Sequence, residues 1–289
     1  MSRPQTFATL WVEGPLGPYE RLVLTSFVRA GERVELHTYD SALAVPAGVV
    51  LCDARDIVSD ARRATFPGGF TPFSNFFRYR LLNERACVWF DTDLVLLDAG
   101  AIPDQQHLYG RQSDGRINTA LLALPHDSPA LAALVERADV PPDEVLRWGR
   151  LGPDLLTSTL EEFELLGHAL DPAVVYPITW QDNWRLFDPG QADWCRERTR
   201  GSAGLHLWNQ YLKKDRLSSL APHPEAFLGR LATDLDVDLG LPVATKAQLR
   251  EVRRAWAQKR RPRRDTGLGR LRARIESYAR RRSRRSRPT

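Results

Sequence analysis

The chain has 289 residues, of which 43% are hydrophobic, with 41 Lys and Arg against 36 Asp and Glu. That length suggests one large domain or two small ones, and that composition excludes wholesale disorder. The formal net charge of +5 hides an asymmetry: residues 246–289 hold 18 Lys and Arg against 3 Asp and Glu, leaving 23 basic and 33 acidic residues in 1–245. This predicts an acidic globular domain over 1–245 with an Arg-rich appendage, helical or disordered, over 246–289.

No run reaches the roughly 18 apolar residues that span a bilayer. The most apolar stretch near the middle, Leu121 to Val135, is broken by Pro125, His126, Asp127 and Pro129. The first residues lack an apolar core followed by a small-residue cleavage site, so no secretory signal is visible and a cytoplasmic location is expected. Three cysteines, Cys52, Cys87 and Cys195, lie far apart without CxxC spacing, which offers neither a zinc motif nor a disulfide framework.

In chain order, Phe7 to Val12 reads as a strand and Tyr19 to Arg29 as a helix with Leu22, Val23, Phe27 and Val28 along one stripe. Val34 to Tyr39 and Gly48 to Cys52 are strand-like. Phe73 to Glu84 is helical, with Phe73, Phe76, Phe77, Leu81 and Leu82 sharing a face. Cys87 to Phe90 is a short apolar run that ends abruptly at Asp91. This alternation predicts an α/β fold with a mostly parallel sheet, whose ligands sit at the carboxyl ends of the strands. Helices are predicted over Pro129 to Ala138 and Pro153 to Leu166, each with a proline near its first turn. Residues 171–210 read as irregular packed loops and 213–245 give weak signals. Beyond Lys246 the chain is Arg-rich, with a basic helix possible over Arg270 to Arg282.

Asp-x-Asp occurs at Asp91/Asp93 and, twice overlapping, in Asp234-Leu235-Asp236-Val237-Asp238. The second cluster lacks the glycine and closing glutamate of a calcium loop and reads as a solvated turn. Asp91 and Asp93 follow a buried strand. Alternate side chains at a strand end point the same way, so both carboxylates could converge on one hard cation. Spacing alone leaves an ordinary strand end open.

Context decides. Phe73 to Asp93, with Ser74, Arg78, Tyr79, Leu82, Asp91 and Asp93 in order and spacing, resembles the core of the DXD-containing glycosyltransferases, especially glycosyltransferase family 32. That pattern runs S-D-x-x-R-Y, then x-L-x-x-x-G-G, then an apolar strand and D-x-D. Here Asn75 replaces the family's aspartate, and Ala86-Cys87 replaces its glycine pair. Leu10 to Gly14 with Leu24 to Phe27 resembles the family's opening strand and helix, and Tyr39-Asp40 follows the second strand as it does there. Ile117-Asn118 through Pro125 resembles the asparagine-strand segment. Gly152-Pro153-Asp154-Leu155-Leu156-Thr157 resembles the G-P-x-x-x-T segment, and Gly204 to Asn209 the late histidine-tryptophan segment. The resemblance covers about residues 6–212.

What the resemblance implies is a GT-A-type nucleotide-diphospho-sugar transferase: a retaining hexosyltransferase using a UDP-sugar, or GDP-mannose as the alternative, and a glycan or glycolipid acceptor. Asp91 and Asp93 would hold Mn²⁺ or Mg²⁺, with His206 as third ligand. Arg78 would reach donor phosphate or sugar oxygens. Trp11 and Tyr39 would border the nucleotide, and Ser74, Asn75 and Asn118 would line the donor site. Several residues also have an ordinary structural alternative. Arg78 could be a helix charge, Asn118 a strand cap, His206 a core histidine, and Trp180, Trp184 and Trp208 core aromatics.

The tail supports a separate expectation, attachment to an anionic membrane surface through Arg280 to Arg287. Two rivals stand beside the enzyme reading. One is a protein binding nucleic acid through its tail, disfavoured because the acidic body would repel phosphates and no nucleic-acid-binding motif occurs. The other is an inactive glycosyltransferase-like scaffold, left open by Asn75.

Overall fold

The structure is a computed structural model that describes residues 3–147 and 149–260. The expected helix over 270–282 and the arginine cluster at 280–287 lie outside the described residues. The chain divides into two compact units, Met1–Lys246 and Ala247–Thr289.

The first unit opens with strand β1 (Thr6–Trp11), whose middle residues are buried. Helix α1 (Pro18–Arg29) follows. Pro18 starts it because its missing N–H would be unpaired there in any case. Glu20 in its first turn and Arg29 in its last complement the helix dipole. Strands β2 (Arg33–Thr38) and β3 (Val49–Asp53) come next, then helix α2 (Asp60–Thr65), capped by the Ser59 hydroxyl, and helix α3 (Phe70–Glu84). After α3 come β4 (Val88–Phe90), β5 (Leu94–Leu96), β6 (Leu108–Arg111) and the fully buried β7 (Ile117–Ala123). Helices α4 (Pro129–Ala138), α5 (Leu155–Glu162), α6 (Pro172–Val175) and α7 (Ala192–Arg198) lead to strand β8 (Gly204–His206). Helices α8 (Asn209–Lys214) and α9 (Phe227–Asp234) complete the unit.

Six strands form the central sheet in the order β3-β2-β1-β4-β7-β6, and β5 pairs with β8 in a separate ribbon. The first four strands of that order run parallel. The last two run antiparallel, β7 to β4 and β6 to β7. The β6–β7 reversal is a tight turn closed by Gln112 and Arg116, with Gly115 at φ +91°, a conformation that favours glycine. This mixed, mostly parallel sheet flanked by helices is consistent with a GT-A-like fold.

Both faces of the sheet are covered at its central strands. Phe7 and Phe90 pack on one side against Phe27 of α1, whose ring stacks on Phe90 at 4.1 Å between centroids. Ala8, Leu10 and Trp89 face the other way into a core with Phe73, Phe77, Leu81 and Leu82 of α3 and Leu131 and Leu134 of α4. A fully buried Phe or Leu contributes about 2 kcal/mol, so this double-sided burial fixes the register of the short β4.

The sequence expectations for β1 to β4, α1, α3 and α4 match within a few residues. The helix expected over 153–166 is shorter. Gly152 sits at φ −100°, ψ −120°, outside helical geometry, and α5 begins only at Leu155. It stops at Glu162, two residues before Glu164 at φ +56° turns the chain. The stretch 171–210, expected to be irregular, contains α6, α7, β8 and several short turns. Asp234, Asp236 and Asp238 are exposed around the end of α9, as expected for a solvated turn.

In the second unit the described element is helix α10 (Lys246–Arg260), with Leu249, Val252 and Trp256 at helical spacing and basic residues between them. Among the described residues no helix is long and apolar enough to cross a membrane.

Candidate active site

The sheet order places β2 on one side of β1 and β4 on the other. That is a topological switch point, where the outward crossovers leave a crevice beyond the strand ends. A cavity of about 570 Å³ opens there. Its floor is the end of β1 through Trp11 and the turn Asp91-Thr92-Asp93 after β4.

That turn is fixed from three directions. The Asp91 amide donates to the Ala120 carbonyl of β7 at 2.8 Å, and the Leu94 amide donates back to the Asp91 carbonyl at 2.9 Å. The Leu207 amide donates to the Asp93 carbonyl at 2.7 Å. Pairing of β5 with β8 sets Leu94 opposite His206, so the ribbon carries the imidazole to the aspartates across 113 residues of chain.

One ligand atom from each of Asp91, Asp93 and His206 lies within 4.8 Å of the others. Asp93 Oδ1 and His206 Nε2 are 3.0 Å apart, and Asp93 Oδ2 accepts the Asn209 amide at 2.7 Å. Burial alone would raise the Asp93 carboxyl. The adjacent His206, its hydrogen bond and the Asn209 amide outweigh that and hold the carboxyl below its ordinary value. His206 Nδ1 is buried without a hydrogen-bond partner among the described residues. Two carboxylates and an imidazole suit a hard to borderline divalent cation, so the grouping could hold one.

Asp91 is held differently. Its Oδ1 accepts from Arg78 Nη2 at 2.5 Å and from Trp89 Nε1 at 2.7 Å, and the Arg78 guanidinium lies 4.7 Å from the Trp89 ring centre. Arg78 projects from α3 with its side chain only 3% exposed. Its Nη1 donates to Asn75 Oδ1, and Asn75 Nδ2 donates to the Thr71 carbonyl at 3.1 Å. The neutral amide at position 75 leaves Asp91 as the one carboxylate paired with Arg78 among the described residues. Arg78 therefore acts first on Asp91. Its Nε has no hydrogen-bond partner among the described residues.

The other motif segments tie this region together. Tyr79 Oη donates to the Leu151 carbonyl at 3.1 Å. A Cβ on Gly152 would come within 3.2 Å of the Asn75 amide, so a glycine lets this turn approach α3. Thr157 Oγ1 accepts the Ile117 amide at 2.9 Å, anchoring the start of β7. Asp154 pairs with Arg116 at 3.0 Å and Arg147 at 3.1 Å. Asn118, one residue into β7, accepts the Ala120 amide and donates to Gln112 Oε1, both at 2.8 Å.

The cavity thus gathers Trp11, Ser74, Asn75, Arg78, Asn118 and the three candidate ligands. Tyr39 is not among the cavity's lining residues. Its ring is buried and its hydroxyl donates to the Val58 carbonyl at 2.8 Å, with Arg55 and Arg63 over its face. Trp184 is buried and likewise absent from the lining, whereas Trp180 and Trp208 line the cavity. Trp180 stacks on Tyr211 at 5.5 Å and meets Trp208 edge-on at 5.2 Å, forming an aromatic wall. Trp208 sits at φ +55°, ψ +54°, a left-handed conformation rare for a bulky residue, and this turn aims the Asn209 amide at Asp93.

Sequence reasoning missed Glu20, Asn209, Gln112 and Tyr211. Glu20 accepts from Asn209 Nδ2 at 3.0 Å and shares the cavity with Asp93. Its carboxyl is raised, first by burial and further by the Asp93 charge, against lowering by its own backbone amide and Asn209. Asn209 had a signal, because it ends the histidine-tryptophan segment. Glu20 had none beyond its place at a helix start.

Residues 145–234 match the family model described as the alpha 1,4-glycosyltransferase conserved region. That span contributes His206, Asn209 and the aromatic wall. The chain is also similar to two curated proteins called lactosylceramide 4-alpha-galactosyltransferase. The one from Rattus norvegicus is 26% identical over 165 residues, 53% of this chain and 44% of that protein. The one from Mus musculus is 26% identical over 189 residues, 60% of this chain and 50% of that protein. The chain spans about half the length of these relatives. Together with the GT-A-like fold, the family-model match and both relatives support a glycosyltransferase, consistent with the family 32 resemblance.

Proposed function

We propose that the protein is a metal-dependent, retaining glycosyltransferase that moves a hexose from a nucleotide-diphosphate sugar to a glycan or glycolipid acceptor. The observation that carries this reading is the grouping of Asp91, Asp93 and His206 inside the switch-point cavity, beside an aromatic wall. A UDP-hexose is the favoured donor. UDP-galactose comes first because both similar proteins are named as galactosyltransferases, and GDP-mannose is the alternative. The same names make a glycolipid ending in a lactosyl group the first acceptor to try. Retention of anomeric configuration rests on the family 32 resemblance alone.

Asp91, Asp93 and His206 would hold Mn²⁺, or Mg²⁺, which supplies positive charge to the departing diphosphate. The protein's own groups prepare that site. Arg78 and Trp89 hold the Asp91 carboxylate in place beside the cavity, and the Asn209 amide does the same for Asp93. Trp11 borders the nucleotide, Ser74 and Asn118 face the donor, and the Trp180–Tyr211 stack offers a flat apolar face to an acceptor sugar. Attachment to the inner face of an anionic membrane is proposed from the charge of 246–289 alone.

The test is a thermal-shift panel of UDP, GDP, UDP-galactose, UDP-glucose and GDP-mannose, each with and without Mn²⁺, on wild type and Asp93→Ala. A ligand at 100 times its Kd stabilises by about 2.7 kcal/mol. The expected result is a Mn²⁺-dependent shift with one nucleotide class that disappears in Asp93→Ala. No shift with any nucleotide overturns the reading. Binding without donor hydrolysis or transfer to lactosylceramide identifies an inactive scaffold.

A further inference from the structure

A second grouping of metal-ligating side chains lies away from the cavity, on the two strands at the β3 edge of the central sheet. The parallel register of β2 and β3 sets His37 beside Cys52. Glu35, two residues before His37, shares its face of β2. One ligand atom from each of Glu35, His37 and Cys52 lies within 4.8 Å of the others. None of these residues lines the active-site cavity.

His37 is the independent sign that something belongs there. It is fully buried, and neither ring nitrogen has a hydrogen-bond partner among the described residues. A buried polar group left unpaired costs about 1–3 kcal/mol, and here both nitrogens are unpaired on one ring. Phe77 approaches it at 5.7 Å between centroids and offers no acceptor atom.

The charges also suit an ion. Glu35 is ion-paired to Arg33 at 2.9 Å. Cys52 is a free thiol, half-buried, with burial and then Glu35 raising its pKa. A bound dication reverses that preference, the thiol proton leaving to solvent as the metal–sulfur bond forms. Carboxylate and thiolate together then balance a charge of +2. The nearby Arg85 lies 3.9 Å from Asp56, which shares its charge. In a tetrahedral zinc site, donor atoms stand roughly 3.5 Å apart, so small side-chain rotations would bring this trio into range.

We propose that Glu35, His37 and Cys52 form a second divalent-cation site, for a thiolate-seeking ion of the Zn²⁺ type, with water in the fourth position. Bound there, the ion would clip the edge strand β3 to β2. The sulfur donor separates it from the Asp91, Asp93 and His206 grouping, which has none.

Cobalt distinguishes the two. Purified full-length protein in a phosphine reductant is titrated with Co²⁺, and the thiolate-to-cobalt charge-transfer absorption is followed in wild type, Cys52→Ser, His37→Gln and Asp93→Asn. The expected result is one equivalent of band in wild type and Asp93→Asn. It is absent in Cys52→Ser, at least tenfold weaker in affinity in His37→Gln, and displaced by Zn²⁺. A wild type without the band, or a band that survives Cys52→Ser, overturns the proposal. A second measurement needs no variant: alkylation of each cysteine is followed by mass spectrometry with and without Zn²⁺. At least tenfold slower labelling of Cys52 supports the site, and unchanged labelling of Cys52 overturns it.

Discussion

Asp91 and Asp93 are chemically identical side chains, yet the fold treats them differently. Asp91 is neutralised by a guanidinium, whereas Asp93 leans on an imidazole and a backbone amide. Removing one partner of a buried pair leaves an uncompensated charge, which is worse than never having had the pair. Arg78→Met should therefore lower stability by about 3 kcal/mol in urea denaturation, and should weaken Mn²⁺-dependent nucleotide binding while leaving His206 in place. Glu20 carries a pH signature. Its folded-state pKa is raised above its ordinary value of 4.5 by burial first, so whatever stability it contributes is complete below that value and lost as pH rises through its folded pKa. Glu20→Gln keeps an acceptor for Asn209 and removes the buried charge. Its melting temperature should exceed that of wild type at pH 7, and the gap should close by pH 4. An unchanged gap would show that the carboxyl is fully hydrated.

At the scale of elements, α9 poses a contest between propensity and packing. Alanine is worth about 1 kcal/mol more than glycine inside a helix. A Cβ at Gly229, however, would stand 2.1 Å from the His223 carbonyl oxygen, a backbone atom that cannot rotate away. Overpacking of that kind costs about 1–3 kcal/mol. Gly229→Ala should thus lower the melting temperature, and a rise would mean that the loop before α9 yields. The same contrast between local and distant causes governs what could be read beforehand. The α3 stripe, the β4 run and the Asp91/Asp93 turn are written in neighbouring residues, so periodicity exposes them. Arg78 and Asp91 are each picked out by a motif, but the bond between them, across thirteen positions, needs coordinates. The late start and early end of α5 depend on Gly152 docking against Asn75 and on Glu164 turning back, neither of which a helical pattern encodes. Tyr39 sits at the end of a strand as expected, but Arg55 and Arg63 cover its face, and a strand end alone does not say which way a ring turns.

At the scale of the whole molecule, the antiparallel β7 is the decisive element that alternation does not reveal. It inserts between β4 and β6, brings Asn118 to the cavity and braces the Asp91 turn. The charge division operates at this scale too. With 18 Lys and Arg against 3 Asp and Glu in 246–289, each basic residue near an anionic leaflet contributes about 1 kcal/mol, screened by salt. Deleting 261–289 should abolish flotation with phosphatidylserine vesicles while the melting temperature of the remaining protein stays within a degree or two. Vesicle binding that survives the deletion would remove the tail from the account.

The ribbon of β5 and β8 has a consequence for biosynthesis. Asp93 and His206 are separated by 113 residues, so at 5–20 residues per second a ribosome exposes the two aspartates roughly 6–23 s before the imidazole is made. During that interval the nascent chain offers only weak oxygen ligands, and Arg78 is already available to quench one of them. Glu35, His37 and Cys52 emerge together, within one strand-to-strand unit, before α3 is complete. The order of translation would therefore separate loading of the two proposed metal sites in time. The edge grouping could load while the chain is still being made, whereas the Asp91, Asp93 and His206 grouping is assembled only once β8 has left the ribosome.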